Sequence, residues 1–264
     1  MQYIKLLYLM NFEQNILYER LKAHSLEYHR VVDFNPDREK LIHFDLTNNN
    51  KEFTEIDFTD TEKFSSYVEQ KLKKAKVKFG LGGYNEQRGL YERSELFSPS
   101  ILPAPAGSGG KMGLGDEAEP RRLHLGIDIW GEEGTKVYAP LGGMVHSYGF
   151  NNNFGDYGAT IILLHQLDTV TFYTLYGHLS LDDIAMVTEY QYVIRGQVIG
   201  HFGKPEENGN WPPHLHFQII KDMEEYKGDY PGVCKLSESE KYLSNCPDPD
   251  LIINMMQYAV FKPA

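Results

Sequence analysis

Four of the ten histidines sit in short patterns that could do chemistry together. In RRLHLGIDIW, His124, Gly126 and Asp128 alternate with Leu125, Ile127 and Ile129, so at strand period the polar groups share one face and the apolar ones the other. In WPPHLHFQII, His214, His216 and Gln218 likewise share the face opposite Leu215, Phe217 and Ile219. In YTLYGHLS, Tyr176 and His178 read as one strand face, with Gly177 leaving a gap between them. Imidazole and carboxylate are the ligand types of a catalytic zinc site, which takes three protein ligands and keeps one position open. The other histidines, at 24, 29, 43, 146, 165 and 201, have no such company and read as hydrogen-bonded structural residues.

The first pattern is ambiguous when taken alone. In a straight strand His124 and Asp128 stand roughly 13 Å apart, a long reach for two ligands of one ion. A helix would bring such a pair together, but a glycine and two isoleucines make a poor helix. A bend at Gly126 solves the distance, and glycine leaves room above the backbone. Even then a ligand pair and a buried ion pair fit equally well. WPPHLHFQII supplies the third ligand. His124, Asp128 and His216, the deeper histidine of its pair, are the expected metal ligands. His214 stands beside the open position, placed to hydrogen-bond a water or a substrate oxygen. His178, weak by itself, becomes a candidate general acid/base beside them. Tyr176, on the same expected face, and Trp211, at the stiff Pro-Pro entry, are candidate substrate contacts.

The elements that must position these groups fall into four segments. Residues 1–96 read as an N-terminal α/β extension. Within it a helix is expected over 1–30, from Ile4, Leu7, Tyr8, Ile16, Leu17 and Leu21 at helical spacing. Strands are expected at HRVVDF (29–34), KLIHFDL (40–46) and FTEIDF (53–58), the first two separated by an Asn-Pro-Asp turn. Asp60 caps a helix over 61–75, with Phe64, Tyr67, Val68 and Leu72 on one face. Residues 97–120 form a Pro/Gly-rich loop. With GLGGYNEQRGLYERSEL (80–96) it is expected to cover or line a groove, where Asn85, Arg88 and Arg93 serve equally as polar lining or as turn residues and solvated charges. From Arg121 short β segments follow one another between glycine-rich turns with no long helical pattern, so 121–227 is an antiparallel β core. Residues 228–264 are a turn-rich tail that wraps over it. The fold class is α+β, mainly β.

Bulk properties narrow the function. A formal net charge of -11, from 26 basic and 37 acidic residues, argues against nucleic acid or an anionic membrane surface as the main partner. No stretch has the length of a membrane span. The apolar run Leu6–Met10 is interrupted by Asn11 and Glu13 and no small-residue cleavage site follows, so a cytoplasmic location is expected, with export as the alternative if a leader has been lost. Cys234 and Cys246, outside any C-x-x-C pattern, read as reduced thiols.

These segments together resemble the lysostaphin-type (LytM-like) zinc metallopeptidases over roughly Arg121 to Ile220. The family's His-x-x-x-Asp is similar to His124-Leu-Gly-Ile-Asp128, its Gly-His-Leu to Gly177-His178-Leu179, and its His-x-His to His214-Leu215-His216. GTKVYAPLGGMV (134–145) and RGQVIGHFG (195–203) resemble its glycine-punctuated framework. The resemblance implies Zn2+ on His124, Asp128 and His216, acid/base work by His178 and His214, and an open antiparallel sheet or half-barrel with a groove along the metal. It further implies hydrolysis of peptide bonds in peptidoglycan-type or glycine-containing peptides. Asn210-Trp211-Pro212 departs from the family's usual polar residues and should reshape one groove wall. Similar modules occur within larger intracellular proteins, between a kinase-like domain and a pyridoxal-phosphate aminotransferase, which implies a functional link to other enzyme domains. The alternatives are a cytosolic zinc amidase acting on a small peptide-like substrate and a catalytically silent interaction module.

Overall fold

The computed structural model describes residues 16–54, 56–99 and 119–260. Of the expected 1–30 helix, the described part is helical only over 16–23 (α1) and turns follow it; residues 1–15 and most of the 97–120 loop lie outside the described residues. The strands are β1 (Leu41–Phe44), β2 (Phe79–Gly82), β3 (Leu123–His124), β4 (Ile127–Trp130), β5 (Lys136–Tyr138), β6 (Gly143–Asn151) and β7 (Gly158–Leu167). They continue with β8 (Val170–Leu179), β9 (Tyr192–Val193), β10 (Val198–His201), β11 (His214–Ile220), β12 (Val233–Cys234) and β13 (Ala259–Val260). Nine of them make one open sheet in the order β13-β1-β2-β4-β11-β8-β7-β6-β9, while β5 pairs with β10 and β3 with β12. From β2 to β9 every neighbour is antiparallel; β1 runs parallel to both β2 and β13. The fold is α+β and mainly β.

β11 sits near the middle of the sheet and is buried along its whole length. Leu215, Phe217 and Ile219 enter the main core with Ile127, Ile129, Phe172 and Tyr176. Each such side chain contributes about 1.5–3 kcal/mol by leaving water. The opposite face, which carries His214, His216 and Gln218, is covered by a second layer. There α2 (Thr61–Ala75) packs Phe64, Val68 and Leu72 in one cluster with Phe44, Trp130 and Trp211. Asp60 caps α2 by accepting from the Lys63 amide at 3.1 Å, as its sequence position predicts.

Two expected strands of the extension are not strands. Val31, Val32 and Phe34 are buried in the core, yet the run carries isolated backbone bonds, His29 N–H to Pro140 O, Tyr138 N–H to Val31 O and the local Phe34 N–H to Val32 O. Pro140 has no N–H to donate, so no ladder continues past it. FTEIDF instead begins in a short 3-10 turn, Lys51–Thr54, and ends in a turn where Asp57 accepts from the Thr59 amide at 3.1 Å. Its Phe53 and Phe58 pack on each other edge to face at 4.3 Å. Cys234 and Cys246 are buried free thiols. No described helix is long and apolar enough to cross a membrane.

Candidate metal centre

The chain bends between β3 and β4, at Leu125 and Gly126, and the bend brings His124 Nε2 to 3.3 Å from Asp128 Oδ1. β11 pairs with β4 in the register His216 opposite Asp128, which sets His216 Nδ1 3.2 Å from the same carboxylate oxygen and 3.0 Å from His124 Nε2. Glycine is required at the bend for space as well. A Cβ on Gly126 would stand 2.4 Å from His216 Cε1.

Proton positions follow from the partners. The Gly83 carbonyl can only accept, so the contact at 2.9 Å makes His124 Nδ1 the protonated nitrogen and leaves Nε2 bare. Gln218 donates its amide to Pro231 O and so turns Oε1 toward His216 Nε2, at 2.9 Å. That oxygen also only accepts, so His216 carries its proton on Nε2 and leaves Nδ1 bare. Burial pushes the His124 imidazole down to about 4, with Arg88 adding to the effect, so it is neutral near pH 7. Burial alone would raise the Asp128 carboxyl, but with the Arg88 guanidinium on its other oxygen it is held well below the usual range. Three bare acceptors therefore face one another, buried, with no donor between them. Tetrahedral ligation with ion–ligand distances near 2.0–2.1 Å spaces donor atoms ~3.3 Å apart. The three atoms have the chemistry and the spacing of a divalent-cation cradle, and this cluster is the metal-capable group found among the described residues.

The peptidase family M23 model matches residues 122–228. Residues 122–228 are a peptidase family M23 domain. Over 107 residues the chain is 33% identical to the L-Ala--D-Glu endopeptidase of Bacillus subtilis (strain 168), covering 39% of this chain and 31% of that protein. A zinc containing peptidase from Vibrio cholerae is 29% identical with a TM-score of 0.30, over 37% of this chain and 27% of that one. The catalytic domain of lysostaphin from Staphylococcus simulans is 22% identical with a TM-score of 0.34, over 67% of this chain and 97% of that one. The chain spans about a third of the length of the curated relative it matches.

Within the M23 domain, His178 and His214 stand side by side next to the cradle, their rings 4.1 Å apart. Each donates from Nδ1 to a carbonyl at 2.8 Å, His178 to Asn208 and His214 to Pro212, so each presents a bare Nε2. Burial keeps both neutral, moving His214 down to about 4 and His178 well below its ordinary value. Trp130 stacks on His214 at 4.0 Å and 15°, fixing its plane. A cleft of about 260 Å³, open to solvent, is lined by Asp128, His178, His214 and His216 and walled by Tyr91, Phe97, Trp211 and Tyr230.

Trp211 lines this cleft as its position suggests, held by Nε1–H to Asp156 O at 3.2 Å. Tyr176 does not reach it. Its ring is fully buried in the main core against Phe217, and its hydroxyl pairs with Thr174 Oγ1. Strict alternation fails here because β8 bulges. Ala159 and Ile161 of β7 face Leu179 and Tyr176, so β8 carries one residue more than β7 across the same interval. His178 absorbs it with φ 62, which turns its ring to the face of the cradle while Tyr176 stays on the core face. Gly177 between them allows Tyr157 to pack close, since a Cβ would meet that ring at 2.5 Å.

The three polar candidates of the extension separate. Asn85 is an exposed left-handed turn residue whose amide bonds His124 O. Arg93 lies under Trp211, its guanidinium 4.4 Å from that ring. Arg88 reaches Asp128. Gln218, Tyr157 and the Gly83 carbonyl complete the site without belonging to any of the histidine motifs. Strand alternation places Gln218 beside His216, whereas the other two arrive only through chain crossings.

Proposed function

We propose that the M23 domain is a zinc-dependent peptidase, with the ion held by His124 Nε2, Asp128 Oδ1 and His216 Nδ1. The observation that carries this reading is the set of three buried, mutually facing acceptors with two further bare imidazoles beside them. When bound, zinc supplies Lewis acidity to a scissile carbonyl and lowers the pKa of the attacking water. Hydrolysis needs a base for the water proton and an acid for the leaving amine. His178 Nε2 and His214 Nε2 are the groups placed for both, because each is unprotonated in the resting site and turned toward the cleft. The proton taken from water by one imidazole is delivered to the amine nitrogen as the C–N bond breaks. Between those events an imidazolium N–H can also donate to the tetrahedral oxyanion. The carbonyls of Asn208 and Pro212 hold the tautomers throughout, and the aromatic walls suit an extended peptide. The name of the Bacillus relative favours stem peptides of the peptidoglycan type.

Zinc-loaded full chain, incubated with muropeptides, glycine-containing peptides and small amides and read by mass spectrometry, is expected to cleave peptides of the first two kinds and to lose activity with a chelator. His178→Ala and His214→Ala are each expected to lower kcat by about 10²–10⁴ while zinc content stays stoichiometric. Wild type that takes up no stoichiometric zinc in chelator-free buffer would sink the reading in favour of a silent module. Cleavage confined to small amides would replace the peptide substrate.

A further inference from the structure

Asp128 has a second oxygen, and among the described residues no side chain of the M23 domain is seen to hydrogen-bond it. Arg88, which lies ahead of that domain, does: its Nη1 is 2.5 Å from Asp128 Oδ2. We propose that Arg88 is a positioning residue of the metal centre, whose guanidinium occupies Asp128 Oδ2 so that the carboxylate offers only Oδ1 to the ion. The proposal rests on the zinc reading above and adds that the centre is completed from outside the family domain.

The guanidinium is 1% exposed and every arm is tied. Nη2 donates to Gly83 O at 2.9 Å, Nε to Glu86 Oε2 at 3.2 Å, and Nη1 also to the Tyr91 hydroxyl at 3.3 Å. Gly83 O is the same acceptor that fixes the His124 tautomer, so one peptide group orients two of the three ligands. The segment cannot drift, because backbone bonds clamp it to β3 on both sides of the ligand. Asn85 N–H donates to His124 O, His124 N–H to Glu86 O, and Arg88 N–H to Arg122 O. β2 delivers the segment through its register with β4, where Gly82 pairs with Asp128. The packing leaves no slack, since a Cβ on Gly82 would come within 2.9 Å of Arg88 Nη2. A planar fork bridging a carboxylate and a carbonyl is a task for arginine and not for a point charge. Outer partners of this kind orient the ligand that meets the metal.

The test uses the full chain stripped of metal and reloaded with Co2+, whose visible d–d absorption is strong in four-coordinate sites and weak at higher coordination. Affinity is read by chelator competition and folding by near-UV circular dichroism. In R88Q the freed oxygen joins the ion, so bound Co2+ is expected to lose visible intensity and affinity to fall about 10–100-fold. R88K keeps the charge but cannot hold Asp128 and Gly83 together, so it is expected to show the same spectral loss; it carries the measurement if R88Q does not fold. Folded variants that bind Co2+ with wild-type affinity and spectrum overturn the role of Arg88. Wild type that takes up no Co2+ overturns instead the metal reading beneath it, whatever the variants do.

Discussion

At the scale of single residues, His216 depends on a side chain that position 126 lacks. Gly126→Ala would press a methyl against the His216 ring, and moving that ring breaks its alignment with both Gln218 and the other two acceptors. The variant is expected to stay folded at a cost of about 1–3 kcal/mol and to lose zinc affinity at least about 10-fold. Thermal unfolding and chelator competition, measured together, check it; a folded variant with wild-type affinity would show that the ring yields without consequence. This much was legible in RRLHLGIDIW, because period and glycine together demand a bend there. The contribution of Arg88 was not. Its contact with Asp128 spans forty positions and exists only because β2 lies beside β4. Nothing local distinguishes that arginine from Arg93, whose guanidinium faces aromatic rings.

At the scale of elements, strand alternation predicted β4 and β11 correctly and failed in β8, where one inserted residue separates Tyr176 from His178. A bulge leaves no periodic mark in YTLYGHLS, since both candidate faces end in plausible residues. The same sheet holds a measurable pH response away from the metal centre. His165 of β7 is 1% exposed and bonds Gly142 O at 2.9 Å and Thr174 Oγ1 at 2.7 Å. Burial lowers its pKa from 6.5 to about 4. Between these values the unfolded chain binds the proton and the folded chain does not. The neutral histidine's contribution is therefore complete above about 6.5 and is lost as pH falls toward 4, by on the order of 3 kcal/mol. Urea unfolding of wild type and His165→Gln at pH 7 and pH 5 should show a smaller loss on acidification in the variant. Equal losses would remove His165 from the account.

At the scale of the molecule, the extension belongs to the same sheet as the M23 domain. β2 covers the edge of β4, α2 covers the face carrying the histidines, and the 83–91 segment closes the metal centre from behind. A fragment beginning at Glu119 would bare the β4 edge and uncover Trp130 and Trp211. It is expected to lose near-UV circular dichroism and the cooperative unfolding transition, and a sharp wild-type-like transition would contradict this. Texture sets extension apart from core in the sequence, with a helical pattern on one side and short β runs between glycine-rich turns on the other. Texture does not report which segments share a sheet.

The parallel pairing of Leu41 with Ala259 sets an order of events during synthesis. More than two hundred residues must be made after β1 before its outer neighbour exists. Contacts of such separation form late and slowly, and until they form the edge of β1 is open to any other extended chain. While the nascent chain lengthens, this edge, on the side of the sheet away from β9, stays unpaired longest, and protection there should appear only once β13 has cleared the ribosome.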